Sequence, residues 1–336
     1  MTVPLLEVRS LVKQFDVHSG GRFGFGRKVV RADDGVSFTI EEGETFGLVG
    51  ESGCGKSTLA RTVLFLEEPT EGEILFQGQP LTAGRVLDLR RRAQIVFQDP
   101  YSSLPPRMKV GGIIGDPLQI HGLARGSALG ERVAQLLIDV GLKPADAGRF
   151  PHELSGGQRQ RVGIARALAV QPSLVIADEA VSSLDVSVQA QILNLFKDLQ
   201  ERHRLAYLFV SHDLGVVKYM SHRIAVMYLG QIIELTTTDK LYSQPLNPYT
   251  KALLSAIPTL HKKGQQRLPL RGEPPDPGNP PSGCKFHPRC PIAQAICKQE
   301  VPPLKEWLPG HLAACHFALE GIAASQTISQ PYTKEM

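Results

Sequence analysis

The sequence predicts an α/β protein built on a parallel sheet, and three observations predict it. A short, unalternating apolar run, Thr45 to Val49, feeds directly into a glycine loop and then a helical stretch, STLARTVLF. Two further apolar runs of the same type, SLVIADEA and LAYLFVSH, flank the helical stretch VQAQILNLFKDLQERH. The loop after the first run reads Gly50-Glu51-Ser52-Gly53-Cys54-Gly55-Lys56-Ser57. Strands that are apolar on both faces, alternating with helices, make a parallel sheet covered on each side.

Composition agrees with a folded chain. Its 336 residues are 42% hydrophobic, 21% charged and 6% aromatic, which excludes disorder, collagen and coiled coil. The length suits about two domains, or one large core with an appendage. No run of about 18 uncharged apolar residues occurs, and Met1 to Glu7 has neither a basic start nor an apolar core, so neither a membrane span nor export by a signal peptide is expected. The net charge of +4 is spread along the chain, and no nucleic-acid partner is expected.

The remaining elements follow in order. LLEVRSLVKQF reads as an edge strand, Ser19 to Lys28 as a hairpin loop, and GVSFTIEEGETFGLVG as two strands turning at Glu42-Gly43. From about Asp99 to Ala169 the period becomes helical, in stretches such as ERVAQLLIDVGL, and is punctuated by prolines, as an inserted helical unit would be. After Pro258 the composition turns to proline, glycine and polar residues. The expected division is a main domain over 1–257 with its helical insertion near 99–170, a linker over 258–282, a four-cysteine module over 283–320 and a flexible tail over 321–336.

The glycine loop satisfies G-x-x-x-x-G-K-[ST] in the strand-to-helix context that gives the motif its meaning. Glycines let successive backbone N–H groups, from Gly50 through Ser57 and on to Thr58 at the helix start, face phosphate oxygens. Lys56 then reaches the terminal phosphates and the Ser57 hydroxyl serves Mg²⁺. Nucleoside triphosphate binding follows. Asp178, ending the run SLVIAD, suits a Mg²⁺ site, and Glu179 beside it suits the base that orients and deprotonates the attacking water.

Leu154-Ser155-Gly156-Gly157-Gln158, upstream of Asp178, resembles the signature of the ATP-binding cassette (ABC) family. The family's other elements follow its order: Gln98 in IVFQDP is similar to the Q-loop, Ser182-Ser183-Leu184-Asp185 to the D-loop, and His212 in FVSHD to the switch histidine. The resemblance implies an ABC-type nucleotide-binding domain, with a parallel-sheet core, an antiparallel β subdomain and an inserted helical subdomain. It also implies a head-to-tail dimer in which ATP is held between Lys56 of one subunit and Ser155 to Gln158 of the other. Glu179 becomes the general base, Gln98 a sensor of the γ-phosphate through Mg²⁺ and water, His212 the residue keeping phosphate and base in line, and Asp185 a contact to the partner. The family stacks adenine on an aromatic residue near the first strand's end. Phe15 is the expected one, with Phe23, Phe25 and Val30 as alternatives.

Within the family, VFQDPYSSLPPR, SSLDVSVQAQILNL and LNPYTKALLSAIP resemble the ATPase subunits of dipeptide and oligopeptide importers. So does the tail, where Cys284, Cys290, Cys297 and Cys315 stand at C-x₅-C-x₆-C-x₁₇-C. Four thiolates suit [4Fe–4S] or tetrahedral Zn²⁺. The absence of C-x₂₋₄-C spacing speaks against zinc, the resemblance implies the [4Fe–4S] cluster, and free thiols remain open. Cys54 reads as filler of a variable loop position.

Ala180, Ser183 and Asn247 depart from the subfamily's usual Pro, Ala and His without removing a catalytic group. They leave open the choice among importers of peptides, nickel chelates, glutathione or opines. The resemblance implies a peripheral ATPase on the cytoplasmic face of a bacterial inner membrane, paired with a second ABC ATPase subunit, two permease subunits and an extracytoplasmic binding protein. An exporter ATPase, a soluble ABC protein acting on ribosomes or damaged DNA, and a purely regulatory ATP binder are the competing readings.

Overall fold

The computed structural model describes residues 3–21, 24–99, 101–257, 270 and 272–319. Most of the expected linker and the whole of 321–336 lie outside the described residues.

The strands are β1 (Leu6–Gly21), β2 (Gly24–Ile40), β3 (Thr45–Val49), β4 (Glu71–Phe76), β5 (Gln79–Pro80), β6 (Ala93–Val96), β7 (Leu174–Asp178), β8 (Ala206–Ser211), β9 (Arg223–Tyr228), β10 (Gln231–Thr237), β11 (Lys305–Leu308) and β12 (His311–Ala313). The helices are α1 (Lys56–Val63), α2 (Val86–Arg92), α3 (Val110–Ile120), α4 (Ser127–Asp139), α5 (Gly156–Leu168), α6 (Val186–His203), α7 (Leu214–Met220), α8 (Thr238–Ser243), α9 (Pro248–Ser255) and α10 (Ala295–Gln299).

These strands form two sheets, an antiparallel one in the order β2-β1-β4-β5 and a larger one in the order β11-β12-β10-β9-β3-β8-β7-β6. Strands β9, β3, β8, β7 and β6 pair in parallel. Alternation along each strand serves both faces of this sheet. On β8, Tyr207 and Phe209 face the core shared with the helical insertion, while Ala206, Leu208 and Val210 face the core shared with β1, β2, β4 and α1. Phe196 of α6 meets Tyr207 and Phe209 edge-on, at 5.5 and 6.1 Å between ring centroids. Each such contact adds about 0.5–1.5 kcal/mol beyond area burial. They anchor the helix that follows Asp178 and Glu179.

Two features differ from the sequence-based expectation. Ser19 to Lys28 is not an open loop: pairing continues from Val17↔Lys28 through Ser19↔Gly26 to Gly21↔Gly24, so β1 and β2 form one long ribbon. The cysteine-bearing stretch also contributes to the main sheet, because β12 pairs antiparallel with β10. Beneath that seam, the buried His311 Nε2 and Glu234 Oε1 lie 2.7 Å apart, and Glu234 also accepts from the backbone of Leu246 and Asn247. Helices α3, α4 and α5 stand between β6 and β7. Among the described residues, no helix is long and apolar enough to cross a membrane.

Candidate functional site

Because β3 ends at Val49 and α1 begins at Lys56, the phosphate loop lies at the carboxyl ends of the parallel strands, where open α/β sheets bind ligands. Gly55 has φ 115° there, and a Cβ on it would come within 2.2 Å of the Ala32 carbonyl oxygen, so only glycine fits. The Lys56 side chain lies along the loop, its Nζ donating to the carbonyls of Gly50 (2.8 Å) and Glu51 (3.0 Å). Ser57 Oγ donates to Asp178 Oδ1 at 2.9 Å, which brings together the two oxygen donors expected at a Mg²⁺ site. Burial pushes the Asp178 carboxyl above its ordinary range; the Ser57 hydrogen bond opposes this and the neighbouring Glu179 adds to it.

Glu179 follows the strand with φ 49°, a left-handed conformation that costs a non-glycine residue free energy and that concentrates at functional sites. The tertiary structure holds it there. Its N–H donates to the Val210 carbonyl (2.9 Å), and its own carbonyl accepts from Ser182 Oγ (3.0 Å). Its carboxylate Oε2 accepts from Gln98 Nε2 at 3.0 Å and lies 3.2 Å from His212 Nδ1. Ser183 explains itself as a departure from alanine, since its hydroxyl donates to the Gln98 carbonyl and ties the D-loop to the Q-loop. Ala180 is simply buried. Asn247 caps α9 through Tyr249 N–H and donates to the Ala314 carbonyl.

A cavity of about 360 Å³ is lined by Ser52 to Thr58, Gln98 and Glu179 together with Val30, Arg31, Ala32, Leu229, Gly230 and Pro277. That volume lies within the range of small-molecule sites. Cys54 lines it as well, buried, with its thiol pushed up by burial against the opposing pull of Lys56. Phe15 does not line it; Phe15 is the ladder partner of Val30, which does. Of the alternatives weighed from sequence, Phe23 lies outside the described residues, as does the side chain of Phe25.

The signature residues are apart from this cavity. Ser155 is the N-cap of α5: its Oγ accepts from Gln158 N–H (3.3 Å) and Gln158 Oε1 accepts from Ser155 N–H (3.0 Å). This capping box places the helix N-terminus, with its N–H groups and positive dipole end, at the surface. Gly157 packs tightly on α6, where an added Cβ would fall 2.5 Å from Val188. Asp185 is exposed at the start of α6, and its neighbour Val186 is 82% exposed. Neither Ser155 to Gln158 nor Asp185 lines the cavity.

In the tail, Cys284, Cys290, Cys297 and Cys315 all line one small cavity of about 20 Å³. Burial raises the thiols of Cys284, Cys290 and Cys315, that of Cys290 to about 11. Among the described residues, no three His, Cys, Asp or Glu side chains are arranged to hold a single metal ion. Sequence reasoning missed Arg289, whose guanidinium pairs with Glu51 of the phosphate loop at 2.7 Å, and Tyr249, whose hydroxyl accepts from Glu51 N–H at 3.0 Å. The one signal available was an acidic residue inside a loop built to hold an anion.

Two family models match the chain: that of the ABC transporter at residues 34–182 and that of the oligopeptide/dipeptide transporter C-terminal region at 233–297. The oligopeptide transport ATP-binding protein AppF of Bacillus subtilis is 53% identical, over 93% of this chain and 97% of that protein. A probable peptide ABC transporter ATP-binding protein, y4tS of Sinorhizobium fredii, is 52% identical over 96% of this chain and 93% of its own length. Among solved structures, cbiO1 from Clostridium perfringens, part of the ABC transporter complex cbiONQ, superposes with a TM-score of 0.61 at 26% identity, covering 72% of this chain and 91% of that one. The ATP-binding cassette MJ0796, in a dimeric post-hydrolysis state bound to ADP and Pi, gives a TM-score of 0.59 at 28% identity, over 69% of this chain and 98% of its own. With the phosphate loop, signature and carboxylate pair in place and relatives this similar along nearly the whole length, the chain belongs to the ATP-binding proteins of ABC transporters, as an ATPase with the C-terminal region of the oligopeptide/dipeptide branch.

Proposed function

We propose that this ATPase energises the import of peptides through a membrane permease, and that Glu179 is its catalytic base. The observation that carries the chemistry is the meeting of Gln98 and His212 on a single oxygen of Glu179, beside the Ser57–Asp178 pair and at the wall of the phosphate-loop cavity. The loop N–H groups and Lys56 bind the phosphates. Ser57 and Asp178, hard oxygen donors in contact, fit Mg²⁺, which when bound neutralises phosphate charge. Glu179 accepts the proton of the attacking water as the new O–P bond forms and the bond to the leaving ADP oxygen breaks; Gln98 and His212 fix the carboxylate's orientation.

The peptide assignment rests on the relatives' names and on the match to the oligopeptide/dipeptide C-terminal region. The separation of Ser155 to Gln158 from the cavity supports a head-to-tail dimer in which a second ATPase subunit supplies the signature. The surface near Gln98 to Arg107, at the entrance to the helical insertion, would seat a permease segment at the cytoplasmic face of the inner membrane. An extracytoplasmic binding protein would deliver the peptide. The decisive experiment is an affinity pull-down from gently solubilised membranes: a second ABC ATPase, two permeases and a peptide-binding protein support the importer, whereas ribosomes, DNA-repair factors or an exporter overturn it.

From the number of tail cysteines and the one cavity they all line, we infer that they hold an iron–sulfur cluster. Cys284, Cys290, Cys297 and Cys315 would hold it and lose their protons on doing so. Anaerobically purified protein is then brown, with about four irons per chain, as four thiolate ligands imply. Colourless protein with stoichiometric zinc overturns this.

A further inference from the structure

Glu51 is an unexpected occupant of a loop that receives a polyphosphate, since its charge has the same sign as the ligand's. Every polar group it has is engaged by a different part of the chain. The carboxylate takes both arms of Arg289, Nη1 to Oε2 at 2.7 Å and Nη2 to Oε1 at 3.0 Å. Its N–H donates to the Tyr249 hydroxyl, and its carbonyl accepts from Lys56, the phosphate-binding lysine. The Arg289 side chain is 5% exposed and that of Glu51 23%, so this bidentate pair is sheltered from solvent.

Arg289 ends the single turn His287–Arg289, which lies between Cys284 and Cys290. Phe286, one residue before that turn, packs edge-on against both Tyr228 and Tyr249, at 5.4 and 5.3 Å. Tyr228 also accepts from Arg289 Nη1. The turn that carries the arginine is thus wedged between the four-cysteine cavity and the phosphate loop.

We propose that Arg289 is a positioning residue for ATP binding: it neutralises Glu51 so that the phosphate loop can accept a polyanion, making the four-cysteine region part of the nucleotide site. Without it, an uncompensated carboxylate stands beside the incoming phosphates, and at short range through a partly buried path that repulsion is large. The effect falls on ATP affinity more than on the chemical step, because Arg289 acts through Glu51 of the phosphate loop, whereas the Glu179 carboxylate is oriented by Gln98 and His212.

The inference rests on ATP hydrolysis at this cavity and is independent of the transported solute; wild-type turnover in the same assay verifies that premise separately. The experiment compares the full-length wild type with R289Q, E51Q and the double variant, measuring KM for ATP, kcat, and the Kd of a fluorescent ATP analogue. R289Q is expected to raise KM and Kd roughly 10-fold with kcat within about 3-fold. Removing the stranded charge in R289Q/E51Q is expected to restore KM to within about 3-fold of wild type. An R289Q chain with unchanged KM, or a double variant as weak as R289Q, overturns the proposal. Should R289Q not fold, E51Q alone decides: a KM at or below the wild-type value supports charge neutralisation, and a 10-fold rise refutes it.

Discussion

The phosphate loop and the signature segment, the two halves of the proposed dimeric ATP site, are built to different plans within one chain. The phosphate-loop half is enclosed: Lys56 and Asp178 are 4% and 5% exposed, and the loop is buttressed by β2, by α9 and by the tail turn. The signature half is finished locally by the Ser155–Gln158 capping box, yet its active groups face outward, with Asp185 and Val186 exposed beside it. The contrast teaches which interactions each half lacks. One is closed over by its own chain; the other is a capped helix terminus at the surface.

The largest expected effect tests the enclosed half's chemistry. Glu179→Gln should lower ATP turnover by about 10²–10⁴-fold while leaving ATP binding intact and accumulating ATP-bound dimers on gel filtration. Turnover at the wild-type rate would remove Glu179 from its role.

Next in size is a direct contrast of the halves. Lys56→Ala should weaken ATP-analogue binding to the isolated chain by roughly 100-fold, about 2–3 kcal/mol, as expected for loss of a charged phosphate contact. Ser155→Arg, at an exposed position, should abolish hydrolysis but leave that binding within about 2-fold, on the proposal that the signature acts on a partner's nucleotide. Equal weakening by both would place both halves in one chain's site and break the comparison.

A smaller effect probes the packing behind the enclosed half. Asp33 of β2 is fully buried, neither carboxylate oxygen has a hydrogen-bond partner, and burial lifts it to about 8 against the opposing influence of Lys13. The folded protein therefore keeps a proton that the unfolded chain releases near 4. Stability is fully present below that lower value and declines as pH rises toward 8, on the order of 2 kcal/mol between pH 6 and 8. Urea midpoints should show this decline in the wild type and a nearly flat profile in Asp33→Asn; parallel profiles would refute the assignment. Smallest of all, Ser183→Ala should slow turnover about 3-fold by releasing the D-loop from Gln98, since one neutral hydrogen bond contributes about 1 kcal/mol. Steady-state rates at saturating ATP measure it.

How much of this was legible in the sequence depended on how far apart the cooperating residues lie. The phosphate loop is contiguous, so its residues and its strand-to-helix setting could be read directly. Asp178, Glu179 and His212 are scattered, but each sits at a strand end that the apolar runs announce, whereas Gln98 was legible only through the family resemblance. The Gly-rich Ser19 to Lys28 stretch misled, because ladder pairing with the facing arm of a hairpin overrides weak strand propensity. Phe15 sits directly across the ladder from Val30, and of the two it is Val30 that lines the cavity. Arg289 was invisible, since neither a period nor a motif links it to a loop 238 positions earlier.

That separation has a consequence for how the protein comes into being. A ribosome synthesises the phosphate loop early and its arginine brace 238 residues later. At roughly 5–20 residues per second the interval is on the order of 10–50 s. Throughout it, a nascent chain carries a loop whose glutamate is unneutralised and whose tyrosine support arrives only near the end. On the proposed role of Arg289, full affinity for ATP is thus acquired late, and a chain truncated before the arginine would bind nucleotide roughly 10-fold more weakly than the finished enzyme.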